Sequence, residues 1–436
     1  MIYILLLILI IFLVIAYITS DQEITSPSVL FSAGFVLMTF FATLNQNKWS
    51  LYLDNATFFV IAGGVGEFLI VTLLTSFFLK APKAKNISIT LKNIRFLKAK
   101  RLYILALLVL LNLLIIMLEV RKITGITNPV AAANYMNASS RKANNLIVLS
   151  GRASLLGIVN TATGIWAEYY FAKYFLLVKK FSAPLACIII ISTITPLFTG
   201  VRGGSFTLII SLFVCFFLII NTIKRTENRT YIKYIGIAVV CMILVLVGLP
   251  WTASIVGRDV TQFTPFDYVS IYLGAQLKNL SLFIQNGQFP VNNGIFGAYT
   301  FYSIIPTVAK IMGITIPNYL AYLPFQYVNG YNLGNVYTAF YTWIYDFGYN
   351  GMIVMTALMA IIAQLIYNFA KRAMYKNKNS ISPLLYAYMS SFIFLSFFAD
   401  NFIRQIGINL VYTIIVWLIL NKIFFSKDDK KERVNL

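Results

Sequence analysis

About ten stretches of this chain run for the length of a bilayer-spanning helix almost without a charge. A helix needs about 20 mostly apolar residues to cross the hydrocarbon core of a membrane. Such segments begin at Met1 and recur to a last run ending near Phe425. Charged residues are 11% of the chain and hydrophobic ones 59%, so most of it is built from these segments. The fold class that follows is an all-α polytopic membrane protein.

Orientation is read from lysine and arginine, because short cytoplasmic loops carry the excess. Positive charge is concentrated at 80–101, 179–180, 224–233, 371–378 and 422–433, which together hold 23 of the 35 basic residues. Placing those stretches inside requires spans near 1–18, 26–44, 56–79, 102–118, 155–176, 183–199, 205–223, 234–250, 351–369, 382–399 and 406–425. That is about eleven crossings, within a range of roughly 10–13, with the N-terminus outside and the C-terminus inside. A further crossing around 295–316 would fall within that range. Residues 1–250 then form eight spans, with a basic cytoplasmic loop at 80–101 and an exterior loop at 119–154. Residues 251–350 form a large extracytoplasmic loop with helices lying along the interface, and 351–436 hold the last spans and a basic tail.

The net charge of +21 reads chiefly as this topology signal, with added affinity for anionic lipid headgroups, and not as a nucleic-acid footprint. In 80–101 the apolar residues Ile87, Leu91, Ile94 and Leu97 recur at near-helical spacing, as in a helix lying on the cytoplasmic surface. Met1 to Ser20 has no basic n-region and no small-residue cleavage site, so it reads as a retained span. Cys187, Cys215 and Cys241 lie in apolar spans, where a thiol behaves as a small hydrophobe. Histidine is absent from the chain, which excludes a histidine base, a Ser-His-Asp triad and a zinc site of the usual ligands. No phosphate-binding GxxxxGKS loop is present, which argues against an ATP-driven pump. No metal or cofactor is expected.

Two exterior segments exceed the length of a simple connection, Glu119 to Ser154 and Trp251 to Asn350. Long loops in compact proteins are usually functional or disordered, and the aromatic, charge-poor second segment fits poorly with disorder. The exterior cations are the informative ones, because the positive-inside rule predicts their absence. They include Lys48, Arg121, Lys122, Arg141, Lys142, Arg152, Arg202, Arg258, Lys278, Lys310 and Arg404. An arginine fork suits bidentate phosphate. The plainer alternative is that each snorkels to headgroups or pairs with an acid such as Glu119, Asp259 or Asp400. Arg202 stands apart in the turn Thr199-Gly200-Val201-Arg202-Gly203-Gly204. Its glycines permit close backbone approach, and Ser205 is read as the cap of the next helix, whose positive end would face the same anion. A glycine-rich reversal explains the glycines and not the arginine.

A second cluster runs Asn335-Val336-Tyr337-Thr338, then Trp343 and Asp346-Phe347-Gly348, among many tyrosines. Aromatic belts anchor proteins at membrane interfaces, whereas tyrosine mixed with asparagine also stacks on sugars. The lone acid Asp346 is harder to explain by anchoring. Within the spans, Glu67 and Glu168 are costly unless paired or facing water, with Lys173 within reach of Glu168.

The Gly200-Val201-Arg202-Gly203-Gly204 turn, the large loop with Phe296-Gly297-Ala298-Tyr299-Thr300-Phe301, Asn335-Val336-Tyr337-Thr338 and Asp346-Phe347-Gly348-Tyr349-Asn350-Gly351 together resemble the Wzy-type oligosaccharide repeat-unit polymerases, the O-antigen and capsular polysaccharide polymerase family. The resemblance covers most of the chain from about residue 100. It implies a GT-C-like glycosyltransferase of the bacterial cytoplasmic membrane, active on its outer face without metal or nucleotide sugar. Its substrate would be an undecaprenyl-pyrophosphate-linked oligosaccharide. Membrane lipids, a chain-length regulator and a flippase would be its other partners. Leaving pyrophosphate builds negative charge that guanidinium groups stabilise. That role falls to Arg202 and Arg258, and the base, if any, is left to Asp346, Asp259, Asp267 or a tyrosine, with Asp346 placed in the catalytic set. Arg141, Arg152, Lys278, Asn335, Tyr337 and Arg404 are candidates for binding substrate. A related ligase or a flippase for the same lipid-linked glycan are the alternatives; the missing histidine speaks against the ligase and the lack of an internal repeat against the flippase.

Overall fold

The computed structural model describes residues 1–79, 97–139, 149–222, 228–248, 250, 263–287, 289–291, 294–316, 323–375 and 380–425. In chain order the helices are α1 Ile2–Thr19, α2 Pro27–Leu44, α3 Asn55–Phe78, α4 Ala99–Thr124, α5 Pro129–Ser139 and α6 Gly151–Lys173. They continue with α7 Ala183–Phe198, α8 Gly203–Thr222, α9 Asn228–Val247, α10 Pro265–Asn286 and α11 Ile305–Met312. After a hairpin come α12 Phe340–Tyr375, α13 Ser382–Phe394, α14 Asn401–Gln405 and α15 Ile408–Phe424.

A helix stands over every stretch read as a span. Six of them, α1, α2, α3, α4, α8 and α12, are long and apolar enough to cross a membrane, and α7, α9, α13 and α15 are shorter apolar helices. The outward faces of α1 and α4 carry Ile4, Leu7, Ile11, Val14, Leu107, Leu111 and Leu118, all strongly exposed. Contiguous apolar surface of this extent is untenable in water and natural against hydrocarbon. α2 and α8 lie further inside the bundle, with 61% and 56% of their spans buried.

Local chemistry sets the helix ends. Pro27 opens α2 behind Ser26, whose hydroxyl accepts the Val29 N–H at 3.4 Å. Asp54 caps α3 by accepting from the Thr57 N–H at 2.9 Å. α12 is broken at Gly348, where φ is 68° and ψ is −167°, a conformation essentially restricted to glycine. The break separates a short interior segment, Phe340 to Phe347, from the long apolar run. Phe31, Phe35, Phe68 and Phe340 form the core joining α2, α3 and α12, with the Phe31 and Phe68 rings stacked at 4.0 Å.

Contacts between remote residues define two ends of the bundle. At the basic end Lys371 pairs with Glu23 at 2.7 Å, Asn368 donates to the Leu79 carbonyl at 2.9 Å, and Arg101 donates to the Ile423 carbonyl at 2.9 Å. At the opposite end α10 packs on α2 and runs along the 45–54 connection. Lys48 meets Asp267 at 2.5 Å, Lys278 donates to the Ser50 carbonyl at 2.8 Å, and Ser281 donates to Asp54 at 2.9 Å. Thr264 caps α10 and Pro265 occupies its first turn.

Two details differ from the sequence reading. Residues 294–304 form turns and α11 has only eight residues, too few to cross a bilayer, so 295–316 is no span. The fold is also not purely helical. Strands β1 Gln326–Val328 and β2 Tyr331–Gly334 pair antiparallel around Asn329-Gly330. Both turn residues have positive φ, 49° and 79°, the turn that Asn-Gly favours between paired strands. Asn329 then ties the tip to the Lys48 carbonyl and the Ser50 hydroxyl at 3.0 and 2.8 Å.

Candidate functional site

A cavity of about 2030 Å³ runs between α8 and α9. Its walls are apolar: Ile210, Phe213, Phe217 and Ile220 of α8 face Tyr234, Ile237, Cys241 and Val245 of α9, and α2 and α13 close the back. From Gly203 to Ile220 the lining helix rises about 25 Å at 1.5 Å per residue, close to the thickness of a hydrocarbon core. The end near α10 is polar. Arg202, Asn137, Tyr268, Tyr272, Tyr302, Tyr327, Asn332, Asn335, Asn401, Arg404 and Gln405 line it, and among the described lining residues there is no acid.

Arg202 is held at this mouth by its local turn. The Pro196 carbonyl accepts from the amides of Thr199 and Val201, each at 3.1 Å. Gly200 has φ +76°, and a Cβ there would meet Asn137 N at 2.7 Å and the Ala133 carbonyl at 2.8 Å. Glycine is thus required for the turn to dock on α5, where Asn137 also donates to the Gly200 carbonyl. The glycine admits neighbouring backbone here. α8 starts at Gly203, and Ser205 is no cap, because its hydroxyl donates to the Thr193 carbonyl at 2.6 Å. Gly203 and Gly204 still bring the first turn of α8 to the cavity, so the positive end of that helix faces the mouth beside Arg202.

The Arg202 side chain is only 7% exposed. Its guanidinium donates to the hydroxyls of Tyr268, at 3.0 Å, and Tyr272, and lies 4.9 Å from the Tyr272 ring centroid. Tyr268 and Tyr272 are four apart on α10 and share one face. Among the described residues the guanidinium has no carboxylate partner. A buried charge bonded only to neutral groups is costly, and an anion in the cavity offsets that cost.

Arg404 stands in a different environment. It donates to the Tyr299 carbonyl at 3.3 Å and lies 5.8 Å from the Tyr302 ring centroid, and its buried Nε has no hydrogen-bond partner among the described residues. Asp400, four residues earlier, is 2% exposed. Its Oδ2 accepts from Thr342 and from the Trp343 indole, both at 3.0 Å, and its Oδ1 has no partner among the described residues. Burial drives the Asp400 carboxyl up to about 6, against the opposing pull of Arg404, of these donors and of the Ile403 amide.

The cavity therefore brings together three of the residues proposed from sequence: Arg202, Asn335 and Arg404. The others that are described sit elsewhere. Asp346 does not line the cavity; its carboxylate accepts the amides of Tyr299 at 3.1 Å and Thr300 at 2.6 Å, and so holds the loop whose Tyr299 carbonyl meets Arg404. Tyr337 is 1% exposed, and its hydroxyl donates to the Pro324 carbonyl and accepts from Gln326. Lys278 is buried against the Ser50 carbonyl, and that burial holds its ammonium below the usual lysine range. Arg152 is exposed in the first turn of α6. Arg141 and Arg258 lie outside the described residues. Glu168, for which Lys173 was within reach, accepts from Ser211 of α8.

The sequence reading did not single out Tyr268, Tyr272 or Asn137, and it treated Asp400 only as an acid for a cation to pair with. The available signal for the tyrosines was their four-residue spacing behind the Thr264-Pro265 helix start. Asp400 is a lone acid between two apolar stretches. Comparison of the chain with models of known protein families, with curated proteins and with solved structures finds no match.

Proposed function

We propose that this chain is a polysaccharide polymerase of the Wzy type, a GT-C-like glycosyltransferase with about eleven spans in the bacterial cytoplasmic membrane. It would transfer a growing glycan from undecaprenyl pyrophosphate onto a lipid-linked repeat unit at the outer face. The observation that carries this reading is Arg202, buried without a carboxylate partner among the described residues at the head of a long apolar cavity. Ordinary small-molecule pockets measure about 300–1,000 Å³, so a cavity of about 2030 Å³ suits a larger amphiphile. Its three zones match the three parts of such a substrate: apolar walls for the polyprenyl tail, Arg202 with the α8 terminus and Arg404 for pyrophosphate, and Asn332, Asn335 and the tyrosines for sugar.

In the reaction, an acceptor hydroxyl oxygen bonds to the anomeric carbon as the bond from that carbon to the pyrophosphate oxygen breaks. Charge develops on the leaving pyrophosphate, where prepositioned guanidinium groups act. The pyrophosphate can itself take up the hydroxyl proton. Asp346 is poorly placed to do so, since it is engaged by backbone amides away from the cavity. Purified protein incubated with synthetic undecaprenyl-pyrophosphate repeat units should give a ladder of polymers on a gel. Single units only, with protein shown to be folded, would refute the assignment.

The depth of the cavity, from Lys233 near the basic end to Arg404, favours one second reading, a flippase for the same lipid-linked glycan. Deletion separates the two. Loss of a polymerase leaves single repeat units on the surface lipid, and loss of a flippase removes them.

A further inference from the structure

The two arginines of the mouth differ in one respect that the proposed reaction does not use. Arg202 is bonded to neutral phenols, whereas Arg404 shares its surroundings with acids. We propose that Asp400 is a positioning residue for Arg404: its buried carboxylate, fixed to α12 by Thr342 and Trp343, sets how much of the Arg404 charge an anion in the cavity meets. This rests on the reading that the mouth takes an anionic head group.

The geometry supports it in three steps. Asp400 precedes α14 and Arg404 lies in its last turn, so the short helix fixes their separation. Asp400 Oδ2 is committed to Thr342 and Trp343, while Oδ1 and Arg404 Nε are both buried and unpartnered among the described residues. Opposite charges left this way interact through a medium of low polarity, where Coulomb attraction is weakly screened. Finally, Ala399, Asn401 and Arg404 line the cavity and Asp400 does not, so the carboxylate acts through its neighbour. Among the described residues, the other charged or titratable groups facing Arg404 are Asp346 on α12 and Tyr299 and Tyr302 on the loop before α11. Asp346 is the competing acid. Burial also places the Asp400 carboxyl at about 6, so its charge changes in an accessible range.

The test uses the full chain in detergent micelles and methanedisulfonate, a dianion that mimics pyrophosphate and does not titrate near neutrality. Affinity is measured by calorimetry at about pH 7.5 and about pH 5, on either side of the carboxyl, with melting temperatures taken for every variant. The wild-type protein should bind about tenfold tighter at the lower pH, a difference of about 1.4 kcal/mol. Asp400→Asn should bind at the higher pH as the wild type does at the lower, with no pH dependence. Arg404→Gln should bind weakly at both, again without pH dependence. Arg202→Gln should bind weakly and keep it, and Asp346→Asn should keep it too. Thr342→Val, which removes a donor while leaving the acid, should move the midpoint of the profile upward, and it serves if Asp400→Asn does not fold. A wild-type pH profile in Asp400→Asn, its loss in Asp346→Asn, or an unmoved midpoint in Thr342→Val overturns the role of Asp400 while leaving the anion site standing. No binding by the wild-type protein at either pH removes the anion site and this proposal with it.

Discussion

Arg202 sits in a setting that supplies hydrogen bonds and, among the described residues, no carboxylate partner, so its substitutions separate charge from shape. Arg202→Lys retains the charge but cannot reach Tyr268 and Tyr272 together with a phosphate. It should lower polymer formation at least tenfold, and Arg202→Ala by about 10²–10³, the scale for removing one preorganised donor to a developing oxyanion. Lys310→Ala, exposed on α11, should leave the gel ladder unchanged; an equal loss there would mean that general surface charge is being measured. Asp346→Asn should act differently. Asparagine keeps an oxygen for the amides of Tyr299 and Thr300 but presents an NH₂ where the second oxygen stood, so thermal stability should fall by about 1–3 kcal/mol. Polymer per folded molecule should stay near wild type, and a sharp drop at unchanged stability would restore a direct role in proton transfer. Asp400 carries a pH signature of its own. Its native value of about 6 lies above an unfolded carboxyl near about 3.9, so its contribution to stability is full below the unfolded value and is lost as pH rises through the native one. Melting temperatures across that window should fall less steeply for Asp400→Asn than for wild type. Arg202 was legible because a general rule forbade it where it stands. Asp400 was not, because its environment comes from Thr342 and Trp343, nearly sixty residues earlier in the chain.

Helices and turns were legible to the extent that their signals are local. Apolar runs marked the spans because solvent, bilayer or water, acts on each residue separately. The Thr199–Arg202 turn was visible from its glycines, yet the sequence could not say that Gly200 admits α5 in place of ligand. That assignment has a consequence. Gly200→Ala forces both a positive φ and a clash with Asn137 and Ala133, so it should push α5 away and displace the guanidinium. Binding of a pyrophosphate mimic should weaken along with a loss of about 1–3 kcal/mol in stability, whereas Gly203→Ala, where a Cβ meets no protein atom, should cost little stability. Equal losses of stability from the two would show that α5 does not brace the turn. The hairpin was missed although Asn329-Gly330 is a strong turn signal, because its strands are only three and four residues long and carry too little alternation to register. Its placement depends on the 45–54 connection, which no local pattern reveals.

For the whole molecule, the charge asymmetry and the contact map divide the chain in the same way. Lys179, Lys180, Lys371 and Lys422 lie at the end opposite Arg202, α10 and the hairpin. In a cysteine-free background, Phe296→Cys, at an 81% exposed position, should react with a membrane-impermeant thiol reagent on intact spheroplasts, and Lys180→Cys should react only after lysis. The reverse pattern would turn the protein over and place the mouth in the cytoplasm. The remaining consequence comes from α9, which forms one wall of the cavity by itself while Val240, Ile243, Leu244 and Val247 point away from the bundle. A partition one helix thick and apolar on both faces separates two phases of similar polarity, so a hydrocarbon chain crosses between them with little change in hydration. For the proposed polymerase, loading and unloading would then be lateral diffusion in the plane of the bilayer, and the pace of successive additions would depend on the fluidity of the surrounding lipid as well as on chemistry at the arginines.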